Sequence, residues 1–272
     1  MPRCGVLGWF DTVRGKKRRV LVFVHGFNTR FDAGVFRFAQ LVNDTGADVA
    51  PVLFSWPSRG RILDYNYDRE STNFSRSDLA YVLRTAAESP HVDDVVVMAH
   101  SMGAWLTVEA LRQLALEDGR VPAKIHNVIL ASPDLDIDVF RRQVAELGEP
   151  RPRITIFVSR HDRALEASSL IAGRVARVGA LDLSRKENVA QLEAATGIVV
   201  LDLSALQGGD ALNHGKFATS PEIVKLLGDR LIAGQTIDET SVTGTDAAQV
   251  FGSAVATVVT TPIMVFTGGV RN

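Results

Sequence analysis

Apolar residues in this chain gather into short unbroken runs separated by stretches with a helical period. The runs are Val20-Leu21-Val22-Phe23-Val24, residues 49–56, Val95-Val96-Val97-Met98-Ala99, residues 127–131, residues 154–159 and residues 198–203. Runs of this length without polar alternation predict strands buried on both faces, the signature of a parallel sheet. Between the first two, residues 32–43 carry Val35, Phe36, Phe38, Ala39, Leu41 and Val42, which line one face of an amphipathic helix. Further helices are predicted from Ser77 to about Glu88, from the turn after Ser101 to about Glu117, over 136–147, and after Pro221, where proline suits a first helical turn. Residues 57–75 are polar and aromatic without a clear period, and predict a long loop of the kind that lines a site. Strands alternating with helices give an α/β class, a mostly parallel central sheet with helices on both faces, and ligands beyond the carboxyl ends of the strands.

One strand end carries chemistry. The run Val95–Ala99 continues into His100-Ser101-Met102-Gly103 and then a segment of helical composition. Strand, sharp turn and helix with a serine at the apex form a nucleophile elbow, with small residues at Ala99 and Gly103 where strand and helix approach closely. A serine hydroxyl needs a base, an orienting acid and an oxyanion hole. Asp162 follows the strand 154–159, and His214 follows the strand 198–203 and a glycine-rich loop over 207–210. The chain order Ser101, Asp162, His214 matches the α/β-hydrolase arrangement. His214 would take the Ser101 proton, and Asp162 would orient the ring and stabilise the imidazolium. Asp134, past the preceding strand, is a second candidate for the acid. The backbone amides of Phe27 and Met102 would form the oxyanion hole, where one such donor is worth about 2.7–4 kcal/mol. His161, His25 and His100 read as structural residues, and no metal site is expected, because no carboxylates accompany the histidines.

The chain resembles the α/β-hydrolases, in particular a small bacterial branch of that superfamily without an assigned function. The resemblance rests on Val-Phe-Val-His-Gly-Phe-Asn (22–28), Phe-Ser-Trp-Pro-Ser (54–58), Met-Ala-His-Ser-Met-Gly (98–103), Ser-Pro-Asp (132–134), Ser-Arg-His-Asp (159–162) and His-Gly (214–215). It departs at Ala99, where glycine is usual. It implies an α/β-hydrolase fold with a minimal cap, and hydrolysis of a carboxylic ester or similar acyl bond through an acyl-enzyme, with no cofactor. The triad does not distinguish esters from thioesters or amides, and a non-catalytic binding or membrane-associated protein on the same fold is the contrasting expectation. Asn28, Trp56, Tyr65 and Tyr67 are candidate substrate contacts. The short stretch between Ser132 and the next strand predicts an open site favouring short to medium acyl chains. The domain divides as a lead-in over 1–19, the hydrolase domain over 20–234 and an apolar tail over 235–272.

Composition changes this picture little. The chain has 272 residues, 46% hydrophobic and 22% charged, enough for one large domain, and a formal net charge of −1, which offers nothing to nucleic acid. The basic cluster Lys16-Lys17-Arg18-Arg19 reads as a solvated lead-in to an edge strand. A single cysteine, Cys4, excludes an intramolecular disulfide. The first twenty residues do not make a secretory leader, which points to the cytoplasm. The uncharged stretch over 247–270 is long enough to span a membrane but is diluted by polar residues and proline; packing on the domain or on a second copy of the chain is the expectation.

Overall fold

The computed structural model describes residues 18–183, 198–204, 206, 212–228 and 258–260. Six strands run parallel: β1 (Arg19–Val24), β2 (Ala50–Phe54), β3 (Asp94–His100), β4 (Ile125–Ala131), β5 (Arg153–Val158) and β6 (Ile198–Asp202). A short β7 (Val258–Thr260) pairs antiparallel with β6, and the sheet order is β2-β1-β3-β4-β5-β6-β7. That last strand draws part of the C-terminal stretch onto the sheet edge; the rest of that stretch, the 207–210 loop and the N-terminal lead-in before Arg18 lie outside the described residues. Among the described residues no helix is long and apolar enough to cross a membrane.

The helices are α1 (Phe31–Thr45), α2 (Tyr65–Glu88), α3 (Met102–Asp118), α4 (Ile137–Ala145), α5 (Arg163–Ile171), α6 (Lys216–Thr219) and α7 (Pro221–Leu226). Period-two side chains split the core into two layers. Val20, Val22, Val24, Val95, Val97, Val128, Leu130, Ile154 and Ile156 pack with α2, α3 and α4. Leu21, Phe23, Val96, Met98, Ile129 and Phe157 pack with Phe38 and Leu41 of α1 and Ile223 and Leu226 of α7. Both faces are therefore buried, which explains why the strands read as continuous apolar runs. Only α4 stands between β4 and β5.

The structure corrects three expectations. Residues 57–75 are not a long loop: a 3-10 turn spans Ile62–Asp64 and α2 starts at Tyr65. The first half of α2 buries Asp68, Ser71, Thr72 and Ser75, so its inward face is polar and shows no apolar period. The helix α5 was not anticipated, because it contributes little apolar burial beyond Leu165. The strand β1 is interior, and its Arg19 is buried in an ion pair with Asp94 instead of being solvated.

The chain reverses direction across the sheet at β1. It passes from β1 out to β2 and then back over to β3, so the loops after β1 and β3 lie side by side at a topological switch point. They touch closely. A Cβ on Gly26 would lie 2.8 Å from Ser101 Cβ, and one on Gly103 would lie 2.4 Å from the His25 carbonyl oxygen. Gly103→Ala is therefore expected to lower stability by about 1–3 kcal/mol through overpacking against backbone, measured as a fall in the urea unfolding midpoint; an unchanged midpoint would contradict this packing.

Candidate active site

The turn between β3 and α3 puts Ser101 at φ 54, ψ −124, a left-handed conformation that L residues adopt only when the surroundings force it. Three backbone contacts force it here. The Ser101 N–H donates to the Ala131 carbonyl at 3.0 Å, its carbonyl accepts from Ala104 N–H at 3.0 Å, and it also accepts from Asp134 N–H at 3.1 Å. Ser101 is buried, and it directly precedes the N-terminus of α3, whose dipole favours negative charge there.

Asp162 and His214 come together from the ends of β5 and β6. His214 Nδ1 and Asp162 Oδ2 are 2.7 Å apart. The carboxylate is wholly buried, and its Oδ1 accepts from Leu165 N–H at 3.0 Å as the N-cap of α5. Neighbouring contacts tie the two loops: Arg163 N–H donates to the Leu212 carbonyl at 3.0 Å, and Asn213 Nδ2 to the His161 carbonyl at 3.4 Å. Buried Lys216 holds the β6 side by donating to the carbonyls of Leu203 and Leu206, both at 3.2 Å.

His100, beside Ser101, connects this pair to the elbow. Its ring lies 4.6 Å from the His214 ring and 4.7 Å from the Phe217 ring, and its Nε2 is 3.1 Å from the His214 carbonyl. Burial, reinforced by the charge of His214, pushes the His100 pKa well below the usual value, so the ring is neutral and donates from Nε2. His161 is exposed and pairs with Arg160, away from the pair.

The loop after β1 supplies Phe27. Among the described residues, neither its backbone N–H nor that of Met102 donates to an acceptor. The loop is held from outside by a carboxylate that sequence reasoning missed. Asp68, fully buried in α2, accepts from Ser58 Oγ at 2.6 Å, Arg59 N–H at 2.9 Å and Asn28 N–H at 3.3 Å. Ser58 Oγ in turn accepts from Thr29 N–H at 3.2 Å. Asn28 thus serves through its backbone, at φ 54, and its side chain is exposed. His25 closes the inner side: its Nδ1 is 3.0 Å from the Gly26 carbonyl, and Nε2 accepts from Trp56 N–H at 3.2 Å. Burial lowers the His25 pKa, and the hydrogen bond to the Gly26 carbonyl opposes that only in part.

A cavity of about 280 Å³ opens beside Met102 and Trp105, with Tyr65, Asp134 and Arg177 on its walls. Of the four candidate substrate contacts, Tyr65 lines it and the others do not. Trp56 is core: its ring stacks on His25 at 4.9 Å, and its Nε1 donates to the His25 carbonyl at 2.8 Å. Tyr67 lies on the surface beneath the Arg59 guanidinium, 3.6 Å from the ring centre. Asp134 is held by Tyr65 Oη at 2.9 Å, by Ser168 Oγ and by Arg177, and makes no contact with His214 among the described residues. Neither Ser168 nor Arg177 carries a sequence signal that could have found it.

Residues 8–230 match the model of a family described as "Alpha/beta hydrolase of unknown function (DUF900)". An uncharacterized protein of Nostoc sp. is 26% identical over a match covering 56% of this chain and 54% of that protein, so the chain spans about half the length of the curated relative it matches. Among solved structures, a predicted CIB-like hydrolase from Thermoplasma acidophilum is similar with a TM-score of 0.49 at 13% identity, over 80% of this chain and 87% of that one. An esterase from Pyrobaculum calidifontis is similar with a TM-score of 0.45 at 12% identity, over 79% and 76%.

The two neutral buried histidines set a pH dependence of folding. Their folded pKa values lie below the unfolded value of about 6.5, so between the two the unfolded chain binds more protons and stability falls as pH drops. Each contributes a slope of up to about 1.4 kcal/mol per pH unit in that window. His100→Asn is expected to lose one proton's share of the slope in urea unfolding measured from pH 7.5 to pH 5; an unaltered slope would mean that His100 is not held neutral.

Proposed function

The chain belongs to this alpha/beta-hydrolase family, and on that premise we propose that it is a serine hydrolase that cleaves carboxylic esters through an acyl-enzyme. The observation that supports the reading most is the 2.7 Å pairing of His214 Nδ1 with a buried Asp162, brought by separate strand ends to the ring beside Ser101. Asp162 fixes the tautomer that leaves Nε2 unprotonated, and it stabilises the imidazolium once formed.

In this mechanism His214 removes the Ser101 proton as Oγ bonds to the acyl carbon. The Phe27 and Met102 amides receive the oxyanion, and the helix dipole of α3 adds to them. The tetrahedral adduct collapses, the bond to the alcohol oxygen breaks, and the alcohol leaves with the proton from His214. Water then gives its proton to His214 and attacks the acyl-enzyme; Ser101 regains the proton and the carboxylic acid departs. Asp68 acts at a distance, by keeping the Phe27–Thr29 backbone where the oxyanion forms.

Ser101→Ala is expected to abolish hydrolysis of 4-nitrophenyl acetate and to prevent labelling by a fluorophosphonate, which should label the native chain once, at Ser101 by mass spectrometry. Retained turnover or labelling in the variant would end the proposal. The thin cover between β4 and β5 leads to a second expectation: 4-nitrophenyl esters of two to eight carbons should turn over at least about tenfold faster than the sixteen-carbon ester. Comparable rates across the series would show that a long acyl channel exists.

A further inference from the structure

On the ester-hydrolase reading, the cavity beside Met102 is the acyl side of Ser101. His214 protonates the leaving alcohol, so the alcohol lies on the His214 side of Ser101. None of His214, Asp162 or His100 lines the cavity, whereas Met102, the residue after Ser101, does. Its wall is not purely hydrocarbon. It contains Tyr65, Asp134 and Arg177, all buried.

Arg177 is the group in this wall with unused capacity. It is 8% exposed, and its Nε lies 3.2 Å from Asp134 Oδ1 without the alignment of a hydrogen bond. Its Nη2 donates one hydrogen bond, to the Ser168 carbonyl at 3.3 Å. A guanidinium carries five N–H donors. The Nε–Nη2 edge faces Asp134 and Ser168, which leaves Nη1 and the second hydrogen of Nη2 without acceptors among the described residues. Those two form a fork that fits an oxygen-bearing carbon. Asp134 faces the Nε edge of the guanidinium instead, and its oxygens also accept from the Tyr65 and Ser168 hydroxyls. Burial, with the Asp134 charge adding to it, pushes the Tyr65 pKa up to about 12, so that hydroxyl stays a donor to Asp134.

The remaining charges do not supply an acceptor either. Asp136 Oδ1 accepts from the Asp138 and Val139 N–H groups at the start of α4, and Arg69 and Glu70 stand exposed at the mouth with opposite signs. A buried, incompletely bonded guanidinium is costly in an empty apolar environment and useful where a ligand completes it. A site built to bond a substrate oxygen rejects an alkyl isostere strongly, because the isostere leaves the donors unpaired.

We propose that the acyl group this enzyme accepts ends in an oxygen acceptor, a carboxylate or an amide carbonyl, received by the free Nη edge of Arg177. The proposal rests on the ester-hydrolase reading above. The test compares three 4-nitrophenyl esters of matched shape with the full chain: the half ester of adipic acid, its terminal primary amide, and the 6-methylheptanoate, in which two methyl groups replace the terminal oxygens. Both oxygen-terminated esters, or one of them, should exceed the methyl isostere in kcat/KM by about tenfold or more. A higher rate for the half ester names the carboxylate as the preferred group; a higher rate for the amide names the carbonyl.

Arg177→Met should erase that preference, read as the ratio of kcat/KM for the oxygen-terminated esters to that for the isostere on the same variant, and Arg177→Lys should restore part of it. Because Arg177→Met leaves Asp134 without its cation, the double variant Arg177→Met/Asp134→Asn repeats the measurement without that charge. Equal or greater kcat/KM for the isostere in the native chain, with turnover that requires Ser101, overturns this inference alone. An absence of Ser101-dependent turnover with all three esters and with 4-nitrophenyl acetate overturns the hydrolase reading and the inference with it.

Discussion

The site depends on how closely the start of α3 presses on the end of β1. The contact leaves no room for a side chain at Gly103, where a Cβ would fall 2.4 Å from the His25 carbonyl, or at Gly26, where it would meet Ser101. Parallel neighbours β1 and β3 set this spacing. Their loops leave the same end of the sheet, and Ser101 sits against Gly26 in a left-handed backbone conformation. The same close approach accompanies the positive φ of the serine. Strain at one residue is sustained because the Ala131 carbonyl and the Asp134 and Ala104 amides hold its backbone on both sides.

The second constraint is that Asp162 has two tasks. One oxygen caps α5 and the other meets His214. A carboxylate fixed by a helix terminus cannot rotate freely, so the ring it orients is set by the backbone of α5 instead of by a loose side chain. His100 completes the arrangement from the other side. Its neutral Nε2–H grips the His214 backbone, and its ring fills the space between His214 and Phe217. A charged His100 would place two cations in contact whenever His214 became an imidazolium; burial prevents that.

Much of this was legible from local pattern. The strands announced themselves because both faces of the sheet are covered, and Ser101, Asp162 and His214 could be named because each follows an apolar run at a strand end. The polar half of α2 was not legible. Its buried face carries Asp68, Ser71, Thr72 and Ser75; Asp68 bonds loop backbone and Thr72 lines the cavity. Trp56 misled for a related reason. An aromatic next to a polar segment reads as a pocket wall, yet its indole N–H is needed to satisfy the carbonyl of His25, which the bend after β1 leaves without a strand partner. Arg177 is invisible in sequence because its partners Asp134 and Ser168 lie 43 and 9 residues away, in separate elements.

Two carboxylates follow adjacent strands here, Asp134 after β4 and Asp162 after β5, and either position could orient a histidine. Their surroundings divide the roles. Asp134 accepts from the hydroxyls of Tyr65 and Ser168, one on each oxygen, and its charge is met by Arg177. Releasing it to a histidine would strand two buried donors and a buried cation, each loss costing about 1–3 kcal/mol or more. Asp162 gives one oxygen to a helix terminus and has the other available for His214. The polar network around Asp134 thereby removes a competing partner from His214, and it lines the cavity at the same time.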